Sequence, residues 1–378
     1  MKILINAVSA KKVAGGAFQI SVNFIKESLS HTDIEWYWVV SQDLDEVLGE
    51  QFQVYRGSRY YAFPSQPDFK HSYFKVRKKL ALLEKEIKPD LVYSITAPSY
   101  FFFKTTEVMR FTKPWVTHPN QYVQHLLTPK KRMEIALQKY LMRKAQFFIT
   151  QSQTCKNGIV KITGVNDNQV CVVSNVLPAA FRYADRTAIS VDDNYIHVAC
   201  IGNPFPHKNF DILPDVLNEL KKSGIENVKF HVTIPKVSLV WDTIERKLNV
   251  YDIKGRVITH GRCSQQELID IYRRCQFCFL PTLLEVFSAS AIEAMYFHLP
   301  TVATELPFNT EVFEDSCLYC EPNNAKSAAD QLIQLISDKE LQGQFIKKME
   351  TRLKMYGNYD DHFNSIMEFL VKAAKKQI

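Results

Sequence analysis

The chain has 378 residues, of which 46% are hydrophobic and 23% are charged. This composition is that of an ordinary globular protein, and it excludes a disordered or fibrous chain. The length predicts two domains, because one domain usually holds roughly 100–200 residues. Residues 1–180 carry 24 Lys and Arg against 14 Asp and Glu, a net charge of +10, whereas the remainder carries 23 against 26, or −3. The first half therefore suits an anionic partner, either a membrane surface or a nucleic acid, with solvated surface charge as the plain alternative.

The eight cysteines are scattered along the chain, and we expect no secretory signal sequence at its start. Free thiols in a reducing, cytoplasmic compartment are the expected state. Two pairs have the spacing of zinc ligands, Cys275 with Cys278 and Cys317 with Cys320. Both lie in apolar segments where cysteine packs as a small hydrophobe, so neither predicts a metal site. No stretch approaches the roughly 20 apolar residues of a membrane-spanning helix.

Apolar runs alternate with segments of helical spacing along the first half of the chain. Strands are predicted at Lys2–Ala7, Ile34–Val40 and Leu91–Ser94, and helices at Gln19–Leu29 and Tyr73–Ile87. The runs are continuously apolar, which indicates a parallel sheet covered by helices on both faces. The first half is therefore predicted to be a Rossmann-like α/β domain.

The same pattern restarts near residue 196 and predicts a second Rossmann-like domain. Its predicted strands are Ile196–Ile201, Val228–Thr233, Val257–Thr259 and Phe277–Leu280, and its predicted helices are Phe210–Lys222, Gln265–Arg273 and Ser290–Phe297. The polar segment 178–194 is predicted to be the hinge. We place the domains at residues 1–180 and 181–359, and we predict a C-terminal helix at about 360–378 that returns to the first domain.

Two loops have the composition of anion-binding sites. Gly15 and Gly16 follow the first strand and precede a helix, whose free N–H groups and dipole stabilise an anion, although a glycine pair also suits a simple turn. In the second half, a loop runs from Gly202 to a helix that begins near Phe210. Lys208 adds a positive charge beside that helix N-terminus, which suits a diphosphate.

The segment from Glu285 to Glu293 carries the strongest signal. A buried strand ends at Leu280, Glu285 lies in the following loop, and Glu293 lies in the second turn of the next helix. Both carboxylates are expected at the carboxyl edge of the sheet, where they can accept hydrogen bonds from sugar hydroxyls. The amides of residues 286–288 are expected to face a phosphate. On spacing alone, two glutamates eight residues apart also suit a charged surface.

Taken together, three features resemble the group-four retaining glycosyltransferases, which have the GT-B fold. They are the Glu-x7-Glu segment, the Gly-x5-Lys-Asn loop, and the pair of segments Glu305–Val312 and Leu318–Pro322. The resemblance covers nearly the whole chain and is specific from about residue 196 to 335. It implies two Rossmann-like domains that face each other across a central cleft, the first binding the acceptor and the second binding a nucleotide sugar.

The resemblance also implies roles for single residues. Glu285 would contact the donor sugar, Glu293 the nucleotide ribose and Lys208 the diphosphate, while amides for the donor would come from Val286, Phe287 and Ser288. His118, at the end of a strand predicted within Trp115–Asn120, would lie near the donor sugar.

The chain departs from the family pattern next to the glycine of the second loop. Asn203 stands where the family usually has arginine, and Arg262 is the candidate replacement for that positive charge. The family needs no metal ion, and no Asp-x-Asp motif lies near the cleft sequences.

The expected function is retaining transfer of a hexose from a UDP-, GDP- or ADP-sugar to a hydroxyl acceptor, with no cofactor. A glycan or lipid-linked glycan of the cell envelope or capsule is the expected acceptor. A nucleotide-sugar epimerase of the same fold is one alternative. A non-catalytic sugar-nucleotide-binding subunit is another, suggested by Asn203 and by Val286, which stands where glycine is common in the family.

Basic clusters at Lys75–Lys79 and Lys130–Arg132, near the aromatic run Tyr100–Phe103, suit peripheral docking on anionic lipid at the inner face of a membrane. The sequence contains no recognised nucleic-acid-binding module, so we expect no nucleic-acid partner.

Overall fold

A computed structural model of the protein describes residues 1–12, 16–64, 73–191 and 194–377. The chain forms two compact units. Unit 1 comprises residues 1–118, 129–173 and 360–378, and unit 2 comprises residues 119–128 and 174–359.

Unit 1 contains a seven-stranded parallel sheet with helices between the strands. The strands are β1 (Lys2–Ala7), β2 (Glu35–Ser41), β3 (Tyr60–Phe63), β4 (Leu91–Ser94), β5 (Glu107–Arg110), β6 (Phe147–Thr150) and β7 (Val170–Val172). The helices are α1 (Gly16–Ser28), α2 (Gln42–Leu48), α3 (Tyr73–Ile87), α4 (Pro114–Thr117), α5 (Pro129–Met142) and α6 (Gln153–Thr163). The sheet order is β3-β2-β1-β4-β5-β6-β7, and every pairing is parallel.

Unit 2 contains a six-stranded parallel sheet of the same kind. Its strands are β8 (Ile196–Cys200), β9 (Val228–Val232), β10 (Val257–Thr259), β11 (Phe277–Leu280), β12 (Thr301–Thr304) and β13 (Leu318–Cys320). Its helices are α7 (Ala179–Arg182), α8 (Leu213–Lys222), α9 (Leu239–Val250), α10 (Gln265–Arg274), α11 (Ala289–Tyr296), α12 (Pro307–Phe313), α13 (Ala325–Ser337) and α14 (Lys339–Lys354). The sheet order is β10-β9-β8-β11-β12-β13.

The central strands explain the continuous apolar runs of the sequence. Every residue of β4, β6, β11 and β12 is buried. A strand in a parallel sheet covered on both faces has no solvent side, so both sets of alternating side chains are buried and most of them are apolar. The predicted fold class, two parallel-sheet α/β domains, is confirmed.

The last helix, α15 (Tyr359–Ala374), packs in unit 1, as predicted. Ile366 and Leu370 are fully buried in the core that contains β1 and β2. The Phe363 ring lies 4.9 Å from the Phe24 ring of α1, centroid to centroid. An apolar helix face thus fixes the end of the chain against the first sheet.

Two boundaries differ from the expected ones. Residues 119–128 and 174–180 belong to unit 2 rather than to the first domain. Part of the segment predicted as a hinge is also attached to unit 2. There, Arg273 of α10 pairs with Asp185 at 2.7 Å, and its carbonyl oxygen accepts a 2.8 Å hydrogen bond from the Ile189 N–H. Residues 192–193 of that segment lie outside the described residues.

The prediction of a strand that ends within Trp115–Asn120 is wrong. The strand of this region, β5, ends at Arg110, and Pro114 begins the short helix α4. Proline suits the first turn of a helix because its φ is already helical and its missing N–H needs no partner there. His118 caps the carboxyl end of that helix.

All eight cysteines are free thiols, and six of them are buried. Among the described residues, no helix combines the length and the hydropathy needed to cross a bilayer.

A buried acidic network lies within the unit 1 sheet. The Glu107 side chain, 4% exposed, accepts a hydrogen bond from the Ser94 hydroxyl, which in turn accepts one from Asn6 Nδ2 at 3.0 Å. Burial raises the pKa of Glu107 to about 7, although the hydrogen bonds from Ser94 and Ser99 oppose the shift. The carboxyl group is therefore held mostly neutral below neutral pH.

This network predicts a pH dependence of stability. Because the pKa of Glu107 is higher in the folded chain than its ordinary value of 4.5, its stabilising contribution is complete below about pH 4.5 and is lost as the pH rises through about 7. The loss in the free energy of unfolding is on the order of 3 kcal/mol. Urea unfolding at about pH 5 and about pH 8 should show a smaller difference for Glu107→Gln than for the unmodified chain. Glu50→Gln, at an exposed position, should keep the difference of the unmodified chain. The same difference in the free energy of unfolding between the two pH values for all three proteins would contradict the prediction.

Candidate functional site

Two loops leave unit 2 where the strand order of its sheet reverses. Strand β8 pairs with β9 on one side and with β11 on the other. Both neighbours are parallel to β8, so the loops that follow β8 and β11 leave from the same sheet edge. In doubly wound α/β sheets this point is the usual place for a ligand.

The loop after β8 is shaped by Gly202 and Asn209. The Gly202 N–H donates to Thr233 Oγ1 at 3.1 Å, and the Thr233 hydroxyl donates back to the Gly202 carbonyl at 2.9 Å. A Cβ at position 202 would lie 3.1 Å from the Phe210 ring, so the close packing favours glycine. Asn209 has a left-handed backbone (φ 59°), which turns the chain between two short 3₁₀ segments before α8. This turn leaves Lys208 at the end of the first 3₁₀ segment, just before the second one that leads into α8.

Lys208 and Glu285 form an ion pair between the two loops. The Lys208 ammonium donates to both carboxylate oxygens of Glu285, each at 2.8 Å. The side chains are 13% and 21% exposed. The Leu283 N–H also donates to the His207 carbonyl at 2.8 Å, which joins the two loops through the backbone. The structure thus brings together the two residues that carried most of the sequence prediction.

Glu293 lies deeper than Glu285. Its carboxylate is 7% exposed and accepts a 2.7 Å hydrogen bond from the Tyr272 hydroxyl of α10. Burial raises the pKa of Glu293, while the bond from Tyr272 and the charge of Lys208 act in the opposite direction. Tyr272 was not predicted as a site residue, because an aromatic residue on an amphipathic helix gives no sign that its hydroxyl faces a carboxylate.

The N-terminal end of α11 closes the loop after β11. Ser288 is the N-cap residue, and the Ser290 hydroxyl donates to the Ile201 carbonyl at 3.1 Å, which holds the helix against the end of β8. The side chains of Val286 and Phe287 are buried. Within the described chain, the N–H groups of residues 286–288 have no hydrogen-bond acceptor. Such N–H groups at a helix start favour an anion.

Asn120 supports this loop from a distant part of the sequence. Its side-chain amide donates to the Leu283 carbonyl at 2.7 Å, and residues 119–128 belong to unit 2. The contact was not predicted from the sequence, where Asn120 marks only the end of the segment around His118, because nothing local indicates a partner more than 160 residues away.

The other predicted site residues lie on separate loops and helix ends of the two units. Asn203 is exposed in the loop after β8, and Arg262 is exposed in the bend after β10. Gly16 is exposed as the first residue of α1, and Gly15 lies outside the described residues. In unit 1, His118 is half-buried, with its Nδ1 at 2.8 Å from the Thr117 hydroxyl oxygen. Among the described residues, no cluster of three or more His, Cys, Asp or Glu side chains could hold a metal ion.

Two family models match consecutive parts of the chain. The model described as Glycosyltransferase Family 4 matches residues 27–180, and the model described as Glycosyl transferases group 1 matches residues 182–352. The two matches together include the unit 2 sheet, every strand of the unit 1 sheet except β1, and the Lys208–Glu285 pair.

Several curated proteins are similar to parts of the chain. The O-antigen chain mannosyltransferase RfbU of Salmonella typhimurium is 23% identical over 191 residues, which are 50% of this chain and 51% of that protein. A probable sucrose-phosphate synthase of Vicia faba is 32% identical over 164 residues, 38% of this chain and 15% of that protein. The chain therefore spans about half of the first relative and a small part of the second.

Solved structures match the chain over its full length. A glycosyltransferase from Rickettsia africae has a TM-score of 0.74 at 12% identity, with 100% of this chain and 99% of that chain covered. Anabaena HepE in complex with UDP has a TM-score of 0.74 at 17% identity, with 98% and 100% covered. These similarities show the GT-B fold. The two family models, which together match residues 27–180 and 182–352, show that this chain belongs to the group-four glycosyltransferases.

Proposed function

We propose that the chain transfers a hexose from a nucleoside-diphosphate sugar to a hydroxyl acceptor in glycan biosynthesis, with retention of anomeric configuration and without a metal ion. The observation that carries the proposal is the Lys208–Glu285 pair at the carboxyl edge of the unit 2 sheet. It combines a cation for a diphosphate with a carboxylate for sugar hydroxyls at one point.

The proposed donor position follows from the charges. A diphosphate would lie against Lys208 and the N–H groups of residues 286–288, since an ammonium and a helix start both favour an anion. The donor would thus replace Glu285 as the main partner of Lys208, and Glu285 would accept hydrogen bonds from the sugar hydroxyls. Glu293, which uses one carboxylate oxygen for Tyr272, would offer the other to the ribose. Gly16, Asn203, Arg262 and His118 remain proposed contacts of the donor.

In the proposed step, the bond between the anomeric carbon and the diphosphate oxygen breaks while the acceptor oxygen bonds to the same face of that carbon. The proton of the acceptor hydroxyl passes to the departing diphosphate, so charge and atoms balance. Negative charge grows on the diphosphate during this step. Lys208 and the N–H groups of residues 286–288 would stabilise that charge, and fixed electrostatic stabilisation is usually the largest catalytic contribution.

A glycan or lipid-linked glycan of an envelope or capsule is the proposed acceptor, in line with the O-antigen enzyme among the relatives. Eight reduced cysteines favour a reducing, cytoplasmic compartment. A lipid-linked acceptor would require the enzyme to work at the inner face of a membrane.

Nucleotide binding provides the first test. UDP, GDP and ADP should be compared by thermal shift, because a ligand that binds only the folded chain raises the melting temperature. We expect the largest rise with UDP, since a similar structure contains UDP. No rise with any of the three nucleotides would contradict the proposed donor site.

The ion pair provides the second test. Glu285→Gln and Lys208→Ala should each lower transfer by a factor on the order of 10²–10³ while the fold persists. Asp215→Asn is the matched control, because Asp215 forms a similar half-buried pair with Lys247 at 2.5 Å on other elements of unit 2. Release of nucleoside diphosphate with acceptor present measures transfer. Conversion of the donor without acceptor would indicate an epimerase, and binding without turnover would indicate a non-catalytic subunit.

Tyr272 provides a third test through Glu293. Tyr272→Phe removes the hydroxyl donor and should raise the pKa of Glu293 further, because that bond opposes the effect of burial. UDP affinity should then fall more at mildly acidic pH than at alkaline pH, since only the charged carboxylate accepts freely from the ribose hydroxyls. Isothermal titration at both pH values measures this. An equal loss at both would mean that Tyr272 only supports packing.

A further inference from the structure

Helix α5 of unit 1 has an apolar face that the unit leaves uncovered. Its buried side chains are Leu141 and Met142, at the carboxyl end. Met133, Leu137 and Tyr140 are 73%, 44% and 53% exposed. Their spacing of four and three residues places them on one side of the helix. A surface helix normally turns such a stripe towards the core, so this stripe marks an interaction surface.

The charges around the stripe are basic. Within Pro129–Met142, four basic residues (Lys130, Lys131, Arg132 and Lys139) stand against the single acid Glu134. Arg143 and Lys144 follow directly and are exposed. The Lys144 ammonium also lies 5.3 Å from the centre of the Tyr140 ring. The stripe is therefore flanked by positive charge at both ends of the helix.

The surface continues onto the start of α3. The Tyr73 hydroxyl of α3 donates to the Tyr100 carbonyl at 2.8 Å, and the Tyr100 side chain hydrogen-bonds Gln138 of α5. On this continuation, Phe74 is 70% exposed and Phe102 is 42% exposed. The Arg77 guanidinium lies 5.6 Å from the centre of the Phe102 ring. Aromatic and basic side chains thus alternate from α3 to α5.

A cationic group lies behind the N-terminal end of α5. Burial, with smaller contributions from the charges of Lys131 and Lys11, lowers the pKa of Lys113 to about 8, while the charge of Glu134 opposes the shift. Positive groups that repel one another in a partly desolvated place are stabilised when an anion binds between them. The same end of the helix therefore suits a phosphate group.

From this arrangement we infer that α5, with Phe74 and Phe102 beside it, docks unit 1 on the surface of an anionic bilayer. Met133, Leu137 and Tyr140 would enter the boundary between headgroups and acyl chains, and the flanking Lys and Arg side chains would contact lipid phosphates. The charge complementarity selects this partner, because a soluble apolar partner would not require basic residues on both ends of the stripe. The role of this docking rests on the proposed function, since it would bring the donor site close to a lipid-linked acceptor.

Vesicle sedimentation tests the inference on the full chain. Vesicles of phosphatidylcholine alone should be compared with vesicles that contain roughly one third phosphatidylglycerol, at low and at high salt. We expect binding to the anionic vesicles that weakens with salt. Replacing Lys130, Lys131 and Arg132 by Ala should weaken it about a hundredfold, from roughly 1 kcal/mol per charge.

The apolar part is tested separately. Met133→Ser, Leu137→Ser and Tyr140→Ser combined should weaken binding to anionic vesicles at least about tenfold without loss of charge. The matched control is Val237→Ser with Leu239→Ser, because these unit 2 residues are 96% and 86% exposed. The control should bind like the unmodified chain.

Three outcomes would overturn the inference: equal binding to both kinds of vesicle, equal binding by the α5 variants and the control, or a dimer in light scattering that the triple Ser variant dissociates. The dimer would show a second copy of the chain as the occupant. Melting temperatures confirm that each variant is folded. The UDP thermal shift of the same variants is independent of lipid, so a failure of docking is distinguishable from a failure of the donor site.

Discussion

The parallel pairing of β8 with β9 on one side and β11 on the other is the constraint on which the site depends. Because these strands are parallel, the loops that follow them leave from one edge. Because the strand order reverses at β8, the following helices diverge and leave room between the loops. Residues 77 positions apart, Lys208 and Glu285, therefore come within hydrogen-bond distance. Neither loop alone supplies both the ammonium and the carboxylate.

The electrostatics of the pair explain how a charged site persists in a folded domain without ligand. A half-buried ammonium or carboxylate that lacks a partner is costly, whereas a pair with two short hydrogen bonds offsets much of its desolvation. Glu285 thus stabilises the Lys208 ammonium. In the proposed donor complex, a diphosphate would replace Glu285 as the partner of Lys208 and leave the carboxylate to accept hydrogen bonds from hydroxyl groups. The desolvation of Glu293 is offset differently, because its carboxylate accepts a hydrogen bond from the neutral Tyr272 hydroxyl within the core. The two glutamates of one motif are consequently held by different partners and at different depths.

The sequence was sufficient for those features that depend on local patterns. Continuously apolar runs predicted the buried strands, and β1, β4, β10 and β11 lie at the predicted residues. Glycine and lysine before a helix predicted the loop after β8, because those residue types are needed there for local backbone and charge reasons. The terminal helix was also predictable from its apolar spacing.

The remaining features depend on contacts that no local pattern records. Tyr272 looks like any core aromatic until the fold places it against Glu293. Asn120 acts on Leu283 from a segment that crosses to the other unit, which also explains why the predicted boundary misplaced residues 119–128. The error at Trp115–Asn120 has a local cause, because Pro114 favours a helix start that apolar neighbours concealed.

The unequal distribution of charge acquires a structural basis from the exposed face of α5. A net charge of +10 in residues 1–180 could have been spread over the whole surface of unit 1. Instead, six of the 24 basic residues lie between Lys130 and Lys144, around exposed apolar side chains. Exposed apolar area reduces solubility unless it has a partner, and clustered positive charge reduces stability through self-repulsion. A partner that covers the apolar side chains and neutralises the positive charge best explains why both occur at one place. An anionic bilayer does both, because it offers hydrocarbon and phosphate together.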